Sequence, residues 1–262
     1  MLKQYKDLWH PSDVINFVDM FAGGLTNTLE IAAKFPQAKL HINDLNRELT
    51  QLYVDLAKTP ESVIHDWRAC VNMWFISTDP LARKEMYYGL RDAYVIQQRS
   101  GVLLFMLSVN FNGMWKAYKK CNYLYSTPPG TCIQKRAFFD EKRIWDMSDL
   151  LSRCTITNKS FEELDIPHSS FVYADPPYRD SIVNYQGGFK EEHQIALAST
   201  LMSSNCKFSY SNKDIGDGFF DTHFPGCNIT ECSATYTAGR GKSTNTVSEV
   251  LVSNFNNENP TP

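Results

Sequence analysis

In the first and last parts of the chain, short apolar segments typical of strands alternate with segments whose apolar residues have helical spacing. Residues 14–20 (VINFVDM) form an apolar stretch that ends in the turn FAGG, and residues 25–35 carry apolar positions at helical spacing. A second short strand is predicted at 39–43 and a second helix at 45–58. Because strands that alternate with helices usually form a parallel sheet, the pattern predicts an α/β fold whose sheet is mostly parallel.

The pattern changes in the middle of the chain. Residues 59–150 contain helical segments rich in tryptophan and tyrosine, followed by the polar run KAYKKCNYLYSTPPGT, which is typical of a long hairpin or loop. We interpret 59–150 as an inserted, mainly helical domain, and 1–58 together with 151–262 as the catalytic domain. In the later part, strands are predicted at 154–157, 170–174 and 207–211 and in TVSEVLVSN, with a helix at 191–202.

Composition narrows the possibilities. With 262 residues and 43% hydrophobic content, the chain can bury a core without disulfides or metals. The seven cysteines are scattered and lack zinc-site spacing, so we expect reduced thiols and no metal. No stretch reaches membrane length or resembles a signal peptide, which favours a cytoplasmic protein. The formal charge of -3 neither indicates nor excludes nucleic-acid binding, which depends on local clusters of Lys and Arg.

The strongest chemical signal is the tetrapeptide Asp175-Pro176-Pro177-Tyr178, directly after the predicted strand at 170–174. The carboxylate of Asp175 and the backbone carbonyl of Pro176 can both accept hydrogens from an amine conjugated with an aromatic ring. These contacts draw the nitrogen towards tetrahedral geometry and direct its lone pair at a methyl donor. The prolines restrict the backbone, and the ring of Tyr178 can stack on an extruded base. The alternative is a structural turn that ends the strand.

A second signal follows the first predicted strand. In FVDMFAGG, Gly23 and Gly24 let the backbone approach a ligand at the carboxyl edge of the sheet, although many glycine pairs serve only as turns. Asp44 ends the next strand about twenty residues later, in the position of the acid that binds ribose hydroxyls in nucleoside-binding folds. It can equally cap the helix that follows.

Together these motifs resemble the Dam family of DNA adenine methyltransferases, particularly its bacteriophage members of the D12 class. FVDMFAGG is similar to the family's cofactor glycine motif, HINDLN to its acidic second motif and FVYADPPY to its catalytic motif. FNGMWK and the later TPPG resemble the target-recognition segment, KFSYSN the strand after the catalytic motif and SEVLVSN the closing strand. The resemblance covers nearly the whole chain, and the motifs follow the family's order.

The resemblance implies a Rossmann-like methyltransferase fold with a reversed final strand, plus an inserted, mainly helical target-recognition domain that carries a hairpin. It also implies S-adenosylmethionine as the methyl donor and no metal. The family's amino-terminal segment, with a lysine that closes over the cofactor, is represented here by Lys3-Gln4. The implied cofactor contacts are Lys3, Phe21, Ala22, Gly23, Asp44, Phe161 and Asp175, and the implied catalytic residues are Asp175, Pro176, Pro177 and Tyr178.

DNA contacts are implied as well. In FNGMWK, Met114 takes the place of a residue that wedges into the base stack, and Lys116 that of an arginine that reads a guanine. A lysine reaches the acceptors of guanine as a point charge without a bidentate fork, so we expect weaker or altered sequence discrimination. The basic residues at 119, 120, 135, 136, 142 and 143 are either phosphate contacts or only solvated. The implied DNA-binding residues are Asn112, Met114, Lys116, Lys119, Lys120, Pro128 and Tyr185.

The sequence therefore predicts a site-specific enzyme that methylates N6 of an adenine flipped out of duplex DNA, with GATC as the family's site and no obligatory protein partner. Two alternatives stay open. One is a catalytically inactive DNA-binding relative, and the other is a methyltransferase for another amine, such as that of cytosine, an RNA base or a glutamine amide. Anti-restriction, restriction-modification and replication or repair would all use the same site.

Overall fold

The computed structural model of the protein describes residues 9–111, 115–117, 124–130, 139–179, 189–236 and 245–256, with the side chains of 232–236 and 245–248 outside this description. None of the helices in these ranges is long and apolar enough to cross a membrane.

A mostly parallel sheet forms the centre of the fold. In the described residues it has seven strands in the order β3-β2-β1-β4-β5-β7-β6. β1 pairs in parallel with β2 and β4, and β4 pairs in parallel with β5, whereas β7 runs antiparallel to both β5 and β6. This is the predicted Rossmann-like methyltransferase sheet with a reversed final strand. The strands are β1 (Asn16–Asp19), β2 (Lys39–Asn43), β3 (Cys154–Thr157), β4 (Ser170–Ala174), β5 (Lys207–Lys213), β6 (Asn228–Tyr236) and β7 (Asn245–Ser253).

Some of the helices begin at side-chain caps. The side chain of Asn46 accepts the backbone N–H groups of Glu48 and Leu49 at the start of α2, and Asp79 caps α4, which has a proline in its first turn. The helices of the described residues are α1 (Thr26–Lys34), α2 (Arg47–Lys58), α3 (Pro60–Trp74), α4 (Pro80–Gln97), α5 (Ser100–Val109), α6 (Glu141–Ser152), α7 (Glu191–Ser203) and α8 (Phe219–His223).

The chain divides into two compact units. The first unit comprises Met1–Leu45 and Thr157–Pro262, and the second comprises Asn46–Ile156. Within the second unit, α2 packs against α5 and α6, and α3 packs against α5. The second unit therefore begins one helix earlier than the insertion at 59–150 that the sequence pattern suggested.

The core of the first unit lies between the sheet and its covering helices. All five residues of β4 are buried, which is typical of a parallel strand with both faces covered. Val18, Val172 and Phe208 of three adjacent strands join Leu197 of α7 and Phe220 of α8 in one apolar cluster. This core packs β1, β4 and β5 against α7 and α8.

Two elements were not predicted from the sequence, namely β6 and α8. β6 lies at the edge of the sheet and pairs only with β7 among the described strands. Its sequence NITECSATY is largely polar and lacks the apolar run that indicates a strand with both faces buried. α8 has five residues, too few to show a helical period, and follows Gly218 in a left-handed conformation (φ 75°).

Candidate active site

The adjacent strands β1, β2 and β4 run in parallel, so their carboxyl ends meet at one edge of the sheet, where ligands bind in folds of this type. Asp19 is the last residue of β1, and Asp44 and Asp175 follow β2 and β4 directly. This edge therefore collects three carboxylates from segments far apart in the chain.

The glycine turn after β1 is held by the end of β2. The backbone N–H of Ala22 donates to the carbonyl of Asn43 at 2.8 Å, and that of Gly23 donates to Oδ2 of Asp44 at 2.8 Å. Gly23 adopts φ +46°, where a side chain would be strained. Asp44 therefore supports the glycine turn, and Asn46 caps α2, so the capping role considered for Asp44 is wrong.

Asn43, which sequence reasoning missed, joins three segments at the same edge. Its Nδ2 donates to the carbonyls of Met20 at 3.2 Å and Lys159 at 3.0 Å. Its Oδ1 accepts the hydroxyl of Thr157 at 2.8 Å and the backbone N–H of Lys159 at 3.1 Å. The side chain has no more donors or acceptors of its own to offer, which makes it a structural support for the turn.

Asp19 is fully buried, and the hydroxyl of Thr28 donates to its Oδ2 at 2.7 Å. Its Oδ1 has no hydrogen-bond partner among the described residues. Burial raises the pKa of Asp19 to about 7, and the nearby Asp175 and Asp44 raise it further against the lowering effect of Thr28. A cation that reached this oxygen would restore the ionised form. Sequence reasoning missed Asp19, although a carboxylate at the end of the apolar strand in FVDMFAGG is a signal that could have identified it.

Three aromatic rings cluster beside the glycine turn. The ring centroids of Phe21 and Phe161 are 6.0 Å apart, and Phe189 lies 5.8 Å from the first and 5.7 Å from the second. Phe21 and Phe161 were predicted as cofactor contacts, and the structure brings them together. Phe189 was not predicted, because nothing in its local sequence marks it.

The carboxylate of Asp175 is held on one side only. The hydroxyl of Ser211 in β5 donates to its Oδ1 at 3.0 Å, and the hydroxyl of Tyr173 lies 2.9 Å from Ser211 Oγ. Among the described residues, no other hydrogen bond reaches Asp175. Burial raises its pKa to about 6, with the bond from Ser211 acting in the opposite direction and the charge of Glu249 raising it.

The rest of the catalytic turn, which we define as residues 175–178, is supported by a buried amide. Nε2 of Gln194 in α7 donates to the carbonyl of Pro177 at 2.8 Å, while its Oε1 accepts the hydroxyl of Tyr210 at 2.7 Å. The carbonyl of Pro176 accepts no hydrogen bond from the described residues. The turn therefore presents two acceptors that the described part of the protein does not use, Oδ2 of Asp175 and the carbonyl of Pro176.

Arg179, the residue after the catalytic turn, is held through both its backbone and its side chain. The backbone N–H of Arg179 donates to Oδ1 of Asn212 at 2.9 Å, and its buried guanidinium binds the carboxylates of Glu191 and Asp217. Asn212 in turn donates from Nδ2 to Oε1 of Gln194 at 3.2 Å. Sequence reasoning missed this set of supports, because its members lie on separate elements.

In the second unit, Lys116 and Pro128 of the predicted recognition segment lie next to two isolated antiparallel bridges, Ala117 with Tyr125 and Asn110 with Pro129. Lys116 accepts the backbone N–H of Ser126 at 2.8 Å and donates its own to Oγ1 of Thr127 at 2.9 Å. The carbonyl of Pro128 accepts the backbone N–H of Phe111 at 2.9 Å. The backbone of Lys116 is thereby set by residues 126 and 127, in the predicted hairpin.

A buried carboxylate anchors this hairpin to α2. Both oxygens of Glu48 accept the backbone N–H of Tyr125, at 2.9 and 3.0 Å, and Oε1 also accepts the hydroxyl of Tyr94 at 2.8 Å. The hydroxyl of Tyr87 donates to the carbonyl of Thr127 at 2.7 Å. Burial raises the pKa of Glu48, while the bonds from Tyr125 and Tyr94 lower it. Glu48 was not among the predicted functional residues.

Two of the candidate phosphate contacts, Lys142 and Arg143, lie on α6. On α6, Lys142 pairs with Asp146 at 2.7 Å and Arg143 with Asp140 at 3.5 Å, so both candidate phosphate contacts have acidic neighbours. In the ranges that the structure describes, no group of three or more His, Cys, Asp or Glu side chains could hold a metal ion.

The predicted residues outside the described ranges are Lys3, Asn112, Met114, Lys119, Lys120, Lys135, Arg136 and Tyr185.

This sheet order, the glycine turn supported by an acid and the Asp-Pro-Pro-Tyr turn after β4 are the features that the resemblance led us to expect of a methyltransferase that acts on an amine. The chain belongs to the D12 class N6 adenine-specific DNA methyltransferase family, whose model matches residues 2–237. This match confirms the prediction that the chain is an adenine-specific DNA methyltransferase.

Individual relatives cover most of the chain. It is 27% identical to the Type II methyltransferase M.MjaIII of Methanocaldococcus jannaschii over 240 residues, which span 85% of this chain and 81% of the relative. It is 26% identical to the Type II methyltransferase M1.LlaDCHI of Lactococcus lactis subsp. cremoris over 271 residues, which span 94% and 89%. The Type II methyltransferase M.CviBI of Paramecium bursaria Chlorella virus NC1A is 28% identical over 215 residues, spanning 79% and 75%.

Proposed function

We propose that the protein transfers the methyl group of S-adenosylmethionine to N6 of an adenine that is extruded from duplex DNA. The observation that carries the proposal is the pair of acceptors at the catalytic turn, Oδ2 of Asp175 and the carbonyl of Pro176. An exocyclic amine has two hydrogens, so two fixed acceptors can hold both and leave the lone pair directed at the methyl carbon. Tyr178, two residues after Pro176, offers a ring on which the base can stack.

When bound, S-adenosylmethionine supplies an electrophilic methyl group on a sulfonium, which takes the electron pair of the broken carbon–sulfur bond. The ionised carboxylate of Asp175 stabilises the positive charge that develops on the amine nitrogen as the nitrogen–carbon bond forms. It then accepts the proton that the nitrogen releases and passes it to solvent. No covalent bond between the protein and the base is required.

The residues at the sheet edge fit this cofactor. Oδ1 of Asp19 is a buried acceptor without a partner among the described residues, which suits the ammonium of the methionine part. Asp44 stands beside the glycine turn, where an acid can bind ribose hydroxyls, and the rings of Phe21 and Phe161 offer apolar surface to the adenine part. Each part of the cofactor thus meets side chains of matching chemistry.

Charge supports DNA binding by the second unit. It contains 15 basic and 11 acidic residues, a formal charge of +4, whereas the first unit contains 11 basic and 18 acidic residues, a formal charge of -7. An excess of Lys and Arg neutralises DNA phosphates. We assign target recognition to the second unit, with Lys116 as a base contact, and GATC as the site. Because three relatives are named Type II methyltransferases, a role in restriction-modification is favoured, with DNA in the cytoplasm as the substrate.

The test is transfer of labelled methyl from S-adenosylmethionine to unmethylated duplex DNA, followed by nucleoside analysis and mapping of the modified context. We expect N6-methyladenine in one short context, and a loss of about 10³-fold in Asp175→Ala. Asp221→Ala, at an exposed position in α8, is the matched control. Fluorescence of 2-aminopurine at the target position should rise on binding if the base is extruded.

Other outcomes separate the parts of the proposal. Methylated cytosine or methylated RNA would identify a different amine, and a context other than GATC would reject that site alone. Binding of DNA without binding of S-adenosylmethionine in calorimetry would identify an inactive relative. Substantial turnover in Asp175→Ala would remove the carboxylate from the mechanism.

A further inference from the structure

Arg179 follows the catalytic turn directly and carries a buried charge. Only 3% of its side chain is exposed, and its guanidinium forms four hydrogen bonds to two carboxylates. Nε and Nη2 donate to Glu191 at 3.2 and 2.7 Å, and Nη1 and Nη2 donate to Asp217 at 2.9 and 2.5 Å. Its Cζ lies 4.0 Å from the centroid of the Phe219 ring. Four of its five N–H groups are therefore satisfied on two sides.

The two carboxylates belong to separate elements. Glu191 lies in the first turn of α7, and Asp217 precedes α8 and also accepts the backbone N–H of Phe219 at 3.2 Å. The hydrogen bonds from Arg179 lower the pKa of Asp217 to about 2, so this partner is ionised at any working pH. Since the backbone of Arg179 is bound to Asn212 in β5, one residue ties the end of the turn to β5, to α7 and to the loop before α8.

Stability alone does not explain such an arrangement. Burying the guanidinium costs free energy, and its partners Glu191 and Asp217 are 54% and 42% exposed, so solvent screens both ion pairs and limits their contribution to stability. What an arginine fork adds is geometry, because its planar donors match two carboxylates in fixed directions. The supports of Asp175 and Pro177 are single hydrogen bonds from neutral groups, Ser211 and Gln194. The charged support therefore stands at the carboxyl end of the turn.

We propose that Arg179 is a positioning residue for methyl transfer. Its two ion pairs hold the carbonyl of Pro176 and the ring of Tyr178 in the directions that the amine and the base require. The inference rests on the proposed function and deepens it. Arg179 itself touches neither substrate nor cofactor, so its removal acts on the chemical step through the turn.

The experiment compares single-turnover rates of methyl transfer at saturating S-adenosylmethionine and DNA. Arg179→Met keeps the length of the side chain and removes the charge, and we expect a rate about 10²-fold lower, as for a misplacement of about 1 Å. Arg179→Lys should recover part of the rate, because an ammonium keeps the charge but lacks the fork. Calorimetry should give dissociation constants for S-adenosylmethionine and DNA within about threefold of the wild-type values.

Arg68→Met is the matched control, since Arg68 forms a bidentate pair with Glu141 in the second unit. Glu191→Gln and Asp217→Asn each remove one ion pair and keep the side-chain shape, so they decide the question if Arg179→Met does not fold. We expect about a tenfold lower rate in each and a larger loss in the double variant. Wild-type single-turnover rates in these variants, or losses confined to the two dissociation constants, overturn the inference.

The wild-type protein provides the reference for both levels. If it forms no N6-methyladenine, the proposed function fails and this inference fails with it. If it forms N6-methyladenine and Arg179→Met transfers at the wild-type rate, only the inference fails.

Discussion

Asp175 in the first unit and Glu48 in the second are both carboxylates whose pKa is raised by burial, but the protein uses their oxygens differently. Both oxygens of Glu48 accept hydrogen bonds from Tyr125, and one also accepts from Tyr94. Asp175 accepts a single bond, from Ser211, in the described part of the chain. A carboxylate whose oxygens are both occupied by the protein is an anchor, whereas one with an oxygen left over at a sheet edge can serve a ligand.

Asp19 belongs with Asp175 in this comparison, because its Oδ1 is also left without a partner among the described residues. Asp19 and Asp175 of the first unit thus each keep one carboxylate oxygen for a ligand, whereas Glu48 of the second unit holds the backbone of Tyr125. The formal charges of the units also differ, at -7 for the first and +4 for the second. The contrast supports the proposed division between cofactor chemistry and DNA recognition.

The largest effect is expected from Asp175→Asn. The amide removes the negative charge that stabilises the developing positive nitrogen, so kcat should fall by about 10³-fold. The free energy of unfolding should stay the same or rise, because a buried charge is removed. Steady-state transfer assays and urea unfolding measure the two quantities. An unchanged kcat together with a lower free energy of unfolding would show that Asp175 has a structural role, as Glu48 does, and no role in methyl transfer.

The next effect concerns stability and Asp19. Its pKa is about 7 in the folded protein and near 3.8 when unfolded, so between these values the folded state retains a proton that the unfolded state has released. The free energy of unfolding should therefore fall as the pH rises from about 4 to about 7, by up to a few kcal/mol, with a smaller part from Asp175. Urea unfolding without cofactor at several pH values measures this slope, which Asp19→Asn should reduce. The same slope in the variant would contradict the assignment.

A smaller loss, of stability instead of chemistry, is expected from Glu48→Gln. In the amide, Oε1 can keep the bonds from Tyr125 and Tyr94, but an NH₂ group replaces Oε2 and faces the backbone N–H of Tyr125. This buried donor is left without an acceptor, at a cost of about 1–3 kcal/mol. Unfolding of the second unit should shift, while the single-turnover rate at saturating DNA stays near the wild-type value. Glu61→Gln, at an exposed position in the first turn of α3, is the control. A loss of rate without a loss of stability would place Glu48 in the chemistry.

The smallest effect is the pH dependence of kcat/KM. Asp175 with a pKa of about 6 is mostly ionised at pH 7 and mostly protonated at pH 5. Because only the carboxylate form stabilises the charge on the amine, kcat/KM should fall by about tenfold between these values. Ser211→Ala removes the bond that lowers this pKa and should shift the profile to higher pH. A profile that is flat from pH 5 to 7 in the wild type would contradict the role of the ionised form.

The fold was predictable where short strands alternate with helices along the chain. The bounds of β2, β3 and β4 match the segments predicted at 39–43, 154–157 and 170–174, although only β4 is buried along its whole length. β6 was not predicted, because its largely polar sequence follows α8, a helix too short to show a period. The start of the second unit at Asn46 was also not visible, because the helical pattern of α2 does not show which partner it packs against.

For the candidate site, the sequence by itself determined the residues that follow strands, namely the glycine turn, Asp44 and the turn that begins at Asp175. A parallel α/β fold sends the carboxyl ends of its strands to one edge, so position along a strand is enough to place them there. Only the tertiary structure decided which side chains support them, such as Gln194 behind Pro177 and Arg179 between two carboxylates. Such partners lie on separate elements, and their hydrogen bonds depend on side-chain directions that leave no local pattern in the sequence.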